Sequence, residues 1–582
     1  MPALLAALLG ASLFLQEAQG ARDSVLLRVL TTNDFHGSLA TKVQPWSNRR
    51  PVGGGAAVAG MMDRLARDCR CATIRLDAGD VMQGSPVSNL SSGRATVEAF
   101  NAMGYAASAI GNHEFDWGVD TLAARVRDAR FAWLSANVRE RATGLTPPWT
   151  APWRMVAVGP LKVAVVGYST EETPSTTRPS NVAMLDFDSG PARLDAAIAA
   201  ARRERPDYVI VVAHAGAFCD RTQGCHGEVV DLANALQERP DLIVSGHTHS
   251  LIQTTVNGIP IVEARSNGTA LGIVDFADSA GTRVVRIRVE TVWADRESPD
   301  SAVAGIVDAY TRRVEPLTSR VVATLAAPLD TRGDQYPLGN LIADAARAAA
   351  HSDVALVNNG GIRAALLAGP VTWGELFEVE PFQNFVVRLR VSGAALRQTL
   401  EHAVGASEAR AHVSGILVRV NPSNPPGQRV TSVTLADGTP VLDTAVYTLA
   451  VPDFIAAGGS GYAMLRGAPS ENTGVVDLEA LAEYLRRLPQ PVRPPGELRV
   501  AGVEAHESEA GARARRRPDE GADPADAQAG AARAPGRQPP AGHAGRAGEG
   551  AEGQAAHDRH RRADPLPAGL GRAQPDGLPR PL

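Results

Sequence analysis

The chain has 582 residues, a formal net charge of -5, 44% hydrophobic and 5% aromatic residues. That length exceeds what one hydrophobic core supports and predicts two domains with additions. The near-balanced charge excludes a globally basic surface for a nucleic-acid polymer or an anionic membrane, and no internal run is long and apolar enough to span a bilayer.

Residues 4–15 form an apolar run followed by the small-residue tract Ala18-Gln19-Gly20. This predicts a signal peptide over 1–20 and a periplasmic or secreted location, with a buried N-terminal helix as the alternative. Four cysteines suit an exported protein. Cys219 and Cys225 lie six apart in a Gly-containing loop and can close a local disulfide, whereas Cys69 and Cys71 are expected to be too close to pair with each other. Three connectivities remain open. A zinc site is the rival use of these thiols, but neither pair has the usual two-residue gap.

A buried strand is predicted over 25–30, ending in Asn33-Asp34-Phe35-His36-Gly37. In extended chain Asp34 and His36 point the same way, which makes half of a metal site. Gly53-Gly54-Gly55 then opens an amphipathic helix over 57–67. The next strand, 72–76, ends in Asp77-Ala78-Gly79-Asp80, where Asp80 can bridge two cations with its two oxygens. After a helix over 97–103, the run 106–110 ends in Gly111-Asn112-His113-Glu114-Phe115-Asp116. Asn112 offers an oxygen ligand, and Asp116 can hold the His113 ring in one tautomer. Buried strands over 161–167, 208–213 and 242–244 follow; the second ends in His214 and the third in Gly246-His247-Thr248-His249. A lone histidine at a strand end is more often structural than a ligand. Five segments with the same layout are better explained by one site at the carboxyl rim of an α/β sheet.

Closing strands are predicted over 259–263 and 273–276, and a bridging helix over 303–314. Beyond it α/β patterning resumes with a helix over 338–350, a strand over 354–357, the Gly-rich turn Asn358-Asn359-Gly360-Gly361-Ile362-Arg363, and two further turns carrying Phe382 and Phe454. After Val503 the chain has no Lys, Val, Ile, Met or aromatic residue. Such a tail cannot bury enough apolar surface to offset chain entropy and is expected to be disordered. Its composition also matches a GC-rich gene read in the wrong frame.

Together these motifs resemble the five-block signature of calcineurin-like metallophosphoesterases. Asp116 and the Asn358–Arg363 and Gly458–Tyr462 turns narrow the resemblance to secreted bacterial 5′-nucleotidases/UDP-sugar hydrolases, over about residues 24–503. The resemblance implies an α/β fold: a four-layer α/β/β/α sandwich (24–298), a linker helix (299–319), a smaller α/β substrate-binding domain (320–503), and the tail (504–582) outside it. It implies two divalent metal ions (Zn, Mn or Fe) that activate water for in-line attack on phosphorus. Asp34, His36, Asp80 and His249 would bind one ion, and Asp80, Asn112, His214 and His247 the other. His113, oriented by Asp116, would protonate the leaving alkoxide. Phe382 and Phe454 would stack the base, and Arg332, Asn358, Arg363 and Asn384 would make the polar contacts to a small-molecule nucleotide. One departure is Ser460, which stands where ribose-binding relatives carry Asp. The implied reaction is hydrolysis of nucleoside 5′-phosphates, with UDP-sugars as further substrates. The alternative is 2′,3′-cyclic-nucleotide and 3′-nucleotide hydrolysis, which Ser460 leaves open. A catalytically silent nucleotide receptor would need a gap in the metal set, and the sequence has none.

Overall fold

The computed structural model describes residues 24–502, apart from 221–223, 280–281, 332, 334 and 406–408. The expected signal peptide, the tail and Arg332 lie outside the described residues.

Two six-stranded mixed sheets form the N-terminal part. The first runs, in spatial order, Thr282–Thr291, Ala270–Ser279, Ser24–Thr32, Ala72–Asp77, Ala107–Ala109 and Ala132–Leu134. The second runs Leu251–Val256, Ile259–Ala264, Leu242–Ser245, Tyr208–His214, Leu161–Ser169 and Trp153–Val158. The Tyr208–His214 strand explains why its sequence is a continuous apolar run. Tyr208, Ile210 and Val212 face the first sheet, and Val209, Val211 and Ala213 face the helices Ala192–Arg203 and Glu228–Ala235. Period-two alternation with both faces covered requires apolar residues throughout. Each buried Val or Ile side chain of this strand contributes about 1.5–3 kcal/mol. The outer face of the first sheet is covered by the helices Gly55–Cys69 and Arg94–Met103. The result is the expected four-layer α/β/β/α order.

The C-terminal part is a second α/β unit. Its five-stranded mixed sheet runs Ala411–Ser414, Val354–Asn358, Val446–Pro452, Phe385–Ser392 and Ser470–Val476. Helices Pro337–Ala350 and Asp477–Arg487 pack on one face, and helix Gly393–Ala403 with a three-stranded sheet on the other. The two parts meet through Asn89, whose Nδ2 donates to the Pro381 carbonyl at 2.9 Å, and through the Lys42–Glu378 ion pair at 2.8 Å.

Both cysteine pairs are disulfides, Cys69–Cys71 and Cys219–Cys225. This corrects the expectation that Cys69 and Cys71 are too close to pair comfortably. The helix ends at Cys69, and Arg70 turns left-handed (φ 53), which leaves the flanking Cα atoms 5.1 Å apart, within bridging range. Cys219 and Cys225 face each other across a short antiparallel hairpin.

Gly60, inside the Gly55–Cys69 helix, lies where that helix touches the chain entering the 301–318 helix: a Cβ built there would sit 1.9 Å from the Ser298 carbonyl oxygen. Alanine normally stabilises a helix interior by about 1 kcal/mol over glycine. Here Gly60→Ala is expected to destabilise by about 1–3 kcal/mol through overpacking. Urea unfolding reads this as a lower midpoint, and a raised midpoint would contradict the close approach.

Candidate metal centre

All five motif loops leave the carboxyl ends of their strands on one side of the sandwich. The first two are tied together by backbone hydrogen bonds: Asp34 N–H donates to the Gly79 carbonyl, His36 N–H to that of Asp80, and Gly37 N–H to that of Val81, each at 2.9 Å. The fully buried Glu114 carboxylate adds a second tie. One oxygen accepts from the backbone N–H groups of Asp80 and Gly111 at 2.8 Å each, the other from Val81 at 2.8 Å and Met82 at 3.3 Å. Burial, and then the Asp80 charge, push this carboxyl up to about 8. Its oxygens nevertheless face only N–H donors and offer a carboxyl proton no acceptor, so the geometry is that of a carboxylate. Gly111 is required where these loops meet, since a Cβ there would lie 2.1 Å from Asp80 Oδ1.

Two groups of ligand atoms result: Asp34 with His36 and His249, and Asp80 with His214 and His247, the atoms of each lying within 4.8 Å of one another. Asp80 stands between them, its Oδ2 3.1 Å from His214 Nε2 and 3.9 Å from His36 Nε2. Asn112 Oδ1 lies 3.0 Å from His214 Nε2. The Nδ1 atoms of His36 and His214 donate to the carbonyls of Gln83 (2.8 Å) and Ala78 (2.9 Å), which turns both Nε2 atoms toward the clusters. Asp34 accepts from the His247 backbone N–H at 3.0 Å and from Asn33 Nδ2 at 2.7 Å.

The local conformation differs from the extended-chain expectation. Asp34, His36, Asp80, His247 and His249 all have positive φ, from 49° to 80°. Non-glycine residues adopt this region at a cost, and such strain collects at functional sites. Asp34 and His36 therefore converge through a left-handed turn rather than through strand alternation.

The donor set fits divalent cations. Burial opposes ionisation of Asp34 and Asp80, but the neighbouring histidines hold both carboxyls well below the usual carboxylate range. Burial, with the Arg363 charge acting in the same direction, depresses His36 and His249, leaving neutral imidazoles. Burial also opposes protonation of His214, yet Asp80 raises it to about 10. Two anionic oxygens shared among imidazoles and one amide oxygen suit Zn, Mn or Fe better than Mg or Ca.

A cavity of ≈ 190 Å³ opens beside the clusters. Asp80, Asn112, His113, Asp116, His247 and His249 line one wall; Asn358, Arg363, Phe382, Asn384, Phe454 and Ser460, all from the C-terminal part, line the other. His113 Nδ1 is held by Asp116 Oδ2 at 2.8 Å, and its ring lies against Phe382 with centroids 5.2 Å apart. Arg363 Nη2 lies 3.2 Å from His36 Nε2. Ser460 is also left-handed (φ 50), with its Oγ 3.5 Å from Asn358 Nδ2 and its carbonyl accepting from His402 Nε2 at 2.8 Å. The sequence reading did not assign Glu114, Thr177, which donates to Asp116 Oδ1 at 2.8 Å, or Arg178 on the cavity wall. Glu114 stood inside a motif already singled out, but Thr177 lies 61 residues from its partner and carried no local signal.

The fold and the clusters define a metallophosphoesterase. A calcineurin-like phosphoesterase family model matches residues 27–251, and a 5′-nucleotidase C-terminal domain model matches 321–467. The 5′-nucleotidase of Vibrio cholerae is 28% identical over 534 residues, covering 83% of this chain and 94% of that one. The endonuclease YhcR of Bacillus subtilis is 30% identical over 522 residues; these are 84% of this chain but only 42% of that protein. The crystal structure of a 5′-nucleotidase precursor from Thermus thermophilus superposes with a TM-score of 0.73 at 29% identity, covering 81% of this chain and 98% of that one. The chain belongs to the 5′-nucleotidase family, with a calcineurin-like metallophosphoesterase domain followed by a 5′-nucleotidase C-terminal domain.

Glu114→Gln tests the tie between the loops. Its Nε2 would place a donor against backbone donors, leaving buried N–H groups unpaired at about 1–3 kcal/mol each. A stability loss of about 2–4 kcal/mol is expected in urea unfolding, together with loss of bound metal by elemental analysis. A variant with unchanged stability and full metal content would contradict the role assigned to Glu114.

Proposed function

We propose that the protein hydrolyses nucleoside 5′-phosphates to nucleoside and phosphate, with UDP-sugars as further substrates. The observation that carries this reading is the single cavity bounded by the cation clusters and His113 on one side and by Phe382 and Phe454 on the other. Asp34, His36, Asp80 and His249 would hold one divalent cation, and Asp80, Asn112, His214 and His247 the second. When bound, the pair supplies Lewis acidity and polarises water for in-line attack on phosphorus.

The remaining steps fall to the chain's own residues. With Nδ1 committed to Asp116, His113 has Nε2 left for the substrate. Burial disfavours the His113 imidazolium, but the Asp116 and Asp80 charges outweigh it and raise its pKa. His113 therefore holds a proton to pass to the leaving 5′-oxygen. Arg363 presents its planar fork to the phosphate oxygens. Phe382 and Phe454 provide two ring faces for the base, while Asn358 and Ser460 meet the sugar hydroxyls. Two disulfides fit a periplasmic or secreted location, which belongs to the same proposal.

A second reading is hydrolysis of 2′,3′-cyclic nucleotides and 3′-nucleotides. It is favoured by Ser460, an uncharged and exposed group where a ribose-gripping acid is expected, and by the endonuclease activity named for the Bacillus subtilis relative. A panel of 5′-, 3′- and cyclic nucleotides separates the two.

Phosphate release from AMP should stop on chelation and return with Mn, Co or Zn. Asp80→Ala is expected to lose metal as well as rate. His113→Ala should retain its metal while turnover falls by about 10²–10⁴-fold. Metal loss in the His113 variant in proportion to its activity would reject the proton-donor role.

A further inference from the structure

The segment 170–177 follows the Leu161–Ser169 strand and carries none of the five motifs, yet it touches three residues of the candidate site. Glu172 Oε2 lies 3.1 Å from His247 Nε2. The Thr176 carbonyl accepts a long bond from Asn112 Nδ2 at 3.5 Å, and Thr177 Oγ1 donates to Asp116 Oδ1 at 2.8 Å. The segment is itself fixed from outside the site. The Glu228 carboxylate accepts from Thr170 Oγ1 at 2.6 Å and from the Glu171 backbone N–H at 3.0 Å. Thr170 Oγ1 in turn accepts from the Glu172 backbone N–H at 3.2 Å.

His247 is held the opposite way round from its neighbours. His36 and His214 give Nδ1 to a backbone carbonyl and turn Nε2 toward the clusters. In His247 it is Nε2 that is taken, and by a carboxylate. The Glu172 side chain is 62% exposed, whereas those of Asp80 and His214, which share a cluster with His247, are 2% and 0% exposed. Nε2 therefore points to the rim, and Nδ1 is the nitrogen left for the buried side. A carboxylate only accepts, so in the neutral ring Nε2 carries the proton and Nδ1 the lone pair. The same segment orients Asn112: with Nδ2 given to a carbonyl, the amide oxygen is the end that faces His214.

We propose that Glu172 is a positioning residue for the second cation site, holding His247 with Nδ1 as its ligating atom and so setting the affinity of that site apart from the first. The inference rests on the two-cation reading above. His247 and Asn112, both assigned to the second ion, bond to the 170–177 segment, whereas Asp34, His36 and His249 make no bond to it among the described residues. A carboxylate behind a ligating imidazole fixes its tautomer and makes it a stronger donor, and its removal typically costs about 10–100-fold in metal affinity.

Manganese binding to the metal-free full chain, read by equilibrium dialysis and elemental analysis, tests this. The wild-type protein is expected to bind two ions. Glu172→Ala should weaken one of them by about 10–100-fold and leave the other unchanged. In crystals of that variant at limiting manganese, the anomalous peak among Asn112, His214 and His247 should be depleted and the one among Asp34, His36 and His249 retained. Glu172→Gln still offers an acceptor to Nε2–H and should recover most of the lost affinity. Because Glu172 stands at the exposed rim, neither substitution opens a cavity in the core. A merely structural role would weaken both ions together, and that result overturns the inference. Undiminished binding of both ions in Glu172→Ala, a Gln variant as poor as the Ala variant, or a wild-type crystal in which His247 ligates through Nε2 also overturns it. Each of these leaves the two-cation reading intact. A wild-type chain that binds fewer than two ions rejects that reading itself, and the role of Glu172 with it.

Discussion

The site depends on one buried carboxylate. Glu114 gathers backbone N–H groups from the loop after the Ala72–Asp77 strand and from its own loop after Ala107–Ala109. Those two loops carry Asp80, Asn112 and His113, so the residues proposed as bridging ligand, second ligand and proton donor are set by a single anchor. An ionised group buried among apolar neighbours is costly unless all of its acceptor directions are met. Here backbone donors meet them, and backbone donors cannot swing away as side chains can. The same loop must also bring Asp80 Oδ1 to the His113 backbone N–H at 2.9 Å, which is why glycine stands at 111.

Around that anchor the chain accepts unfavourable backbone conformations at five of the predicted ligands. Left-handed turns shorten the path from strand end to ligand and aim side chains back over the sheet rim, where an extended continuation would carry them past it. Tight backbone bonds between the 34–37 and 79–81 loops hold the turns in place. Among the described residues both candidate cation groups lie in the N-terminal part, and the C-terminal part contributes the opposite wall of the cavity.

Much of this was legible in the sequence, for a physical reason. Buried parallel strands give continuous apolar runs, and polar residues at their carboxyl ends mark the rim, so the residues around Asp34, Asp80, Asn112, His214 and His247 announced themselves locally. The layer order came from the family resemblance that those motifs carry, not from the runs themselves. What failed was local geometry: alternation was applied to Asp34 and His36 where the chain has left the strand, and sequence proximity was held against Cys69 and Cys71 where a left-handed Arg70 brings them into range. Groups acting across long separations were also hidden. Thr177 bonds to Asp116, and Glu172 bonds to His247 from 75 residues away, and nothing in the neighbourhood of either sequence position points to its partner. Ser460 shows the reverse: its identity was conspicuous, but its left-handed turn and its bond from His402 came only from the structure.

Asp80 is proposed to serve two cation sites at once. Anomalous scattering from crystals grown with Mn or Zn tests it most directly. Two peaks are predicted, one among Asp34, His36 and His249 and one among Asn112, His214 and His247, with an Asp80 oxygen ligating both ions. A single peak, or two peaks with Asp80 bound to only one of them, would contradict it.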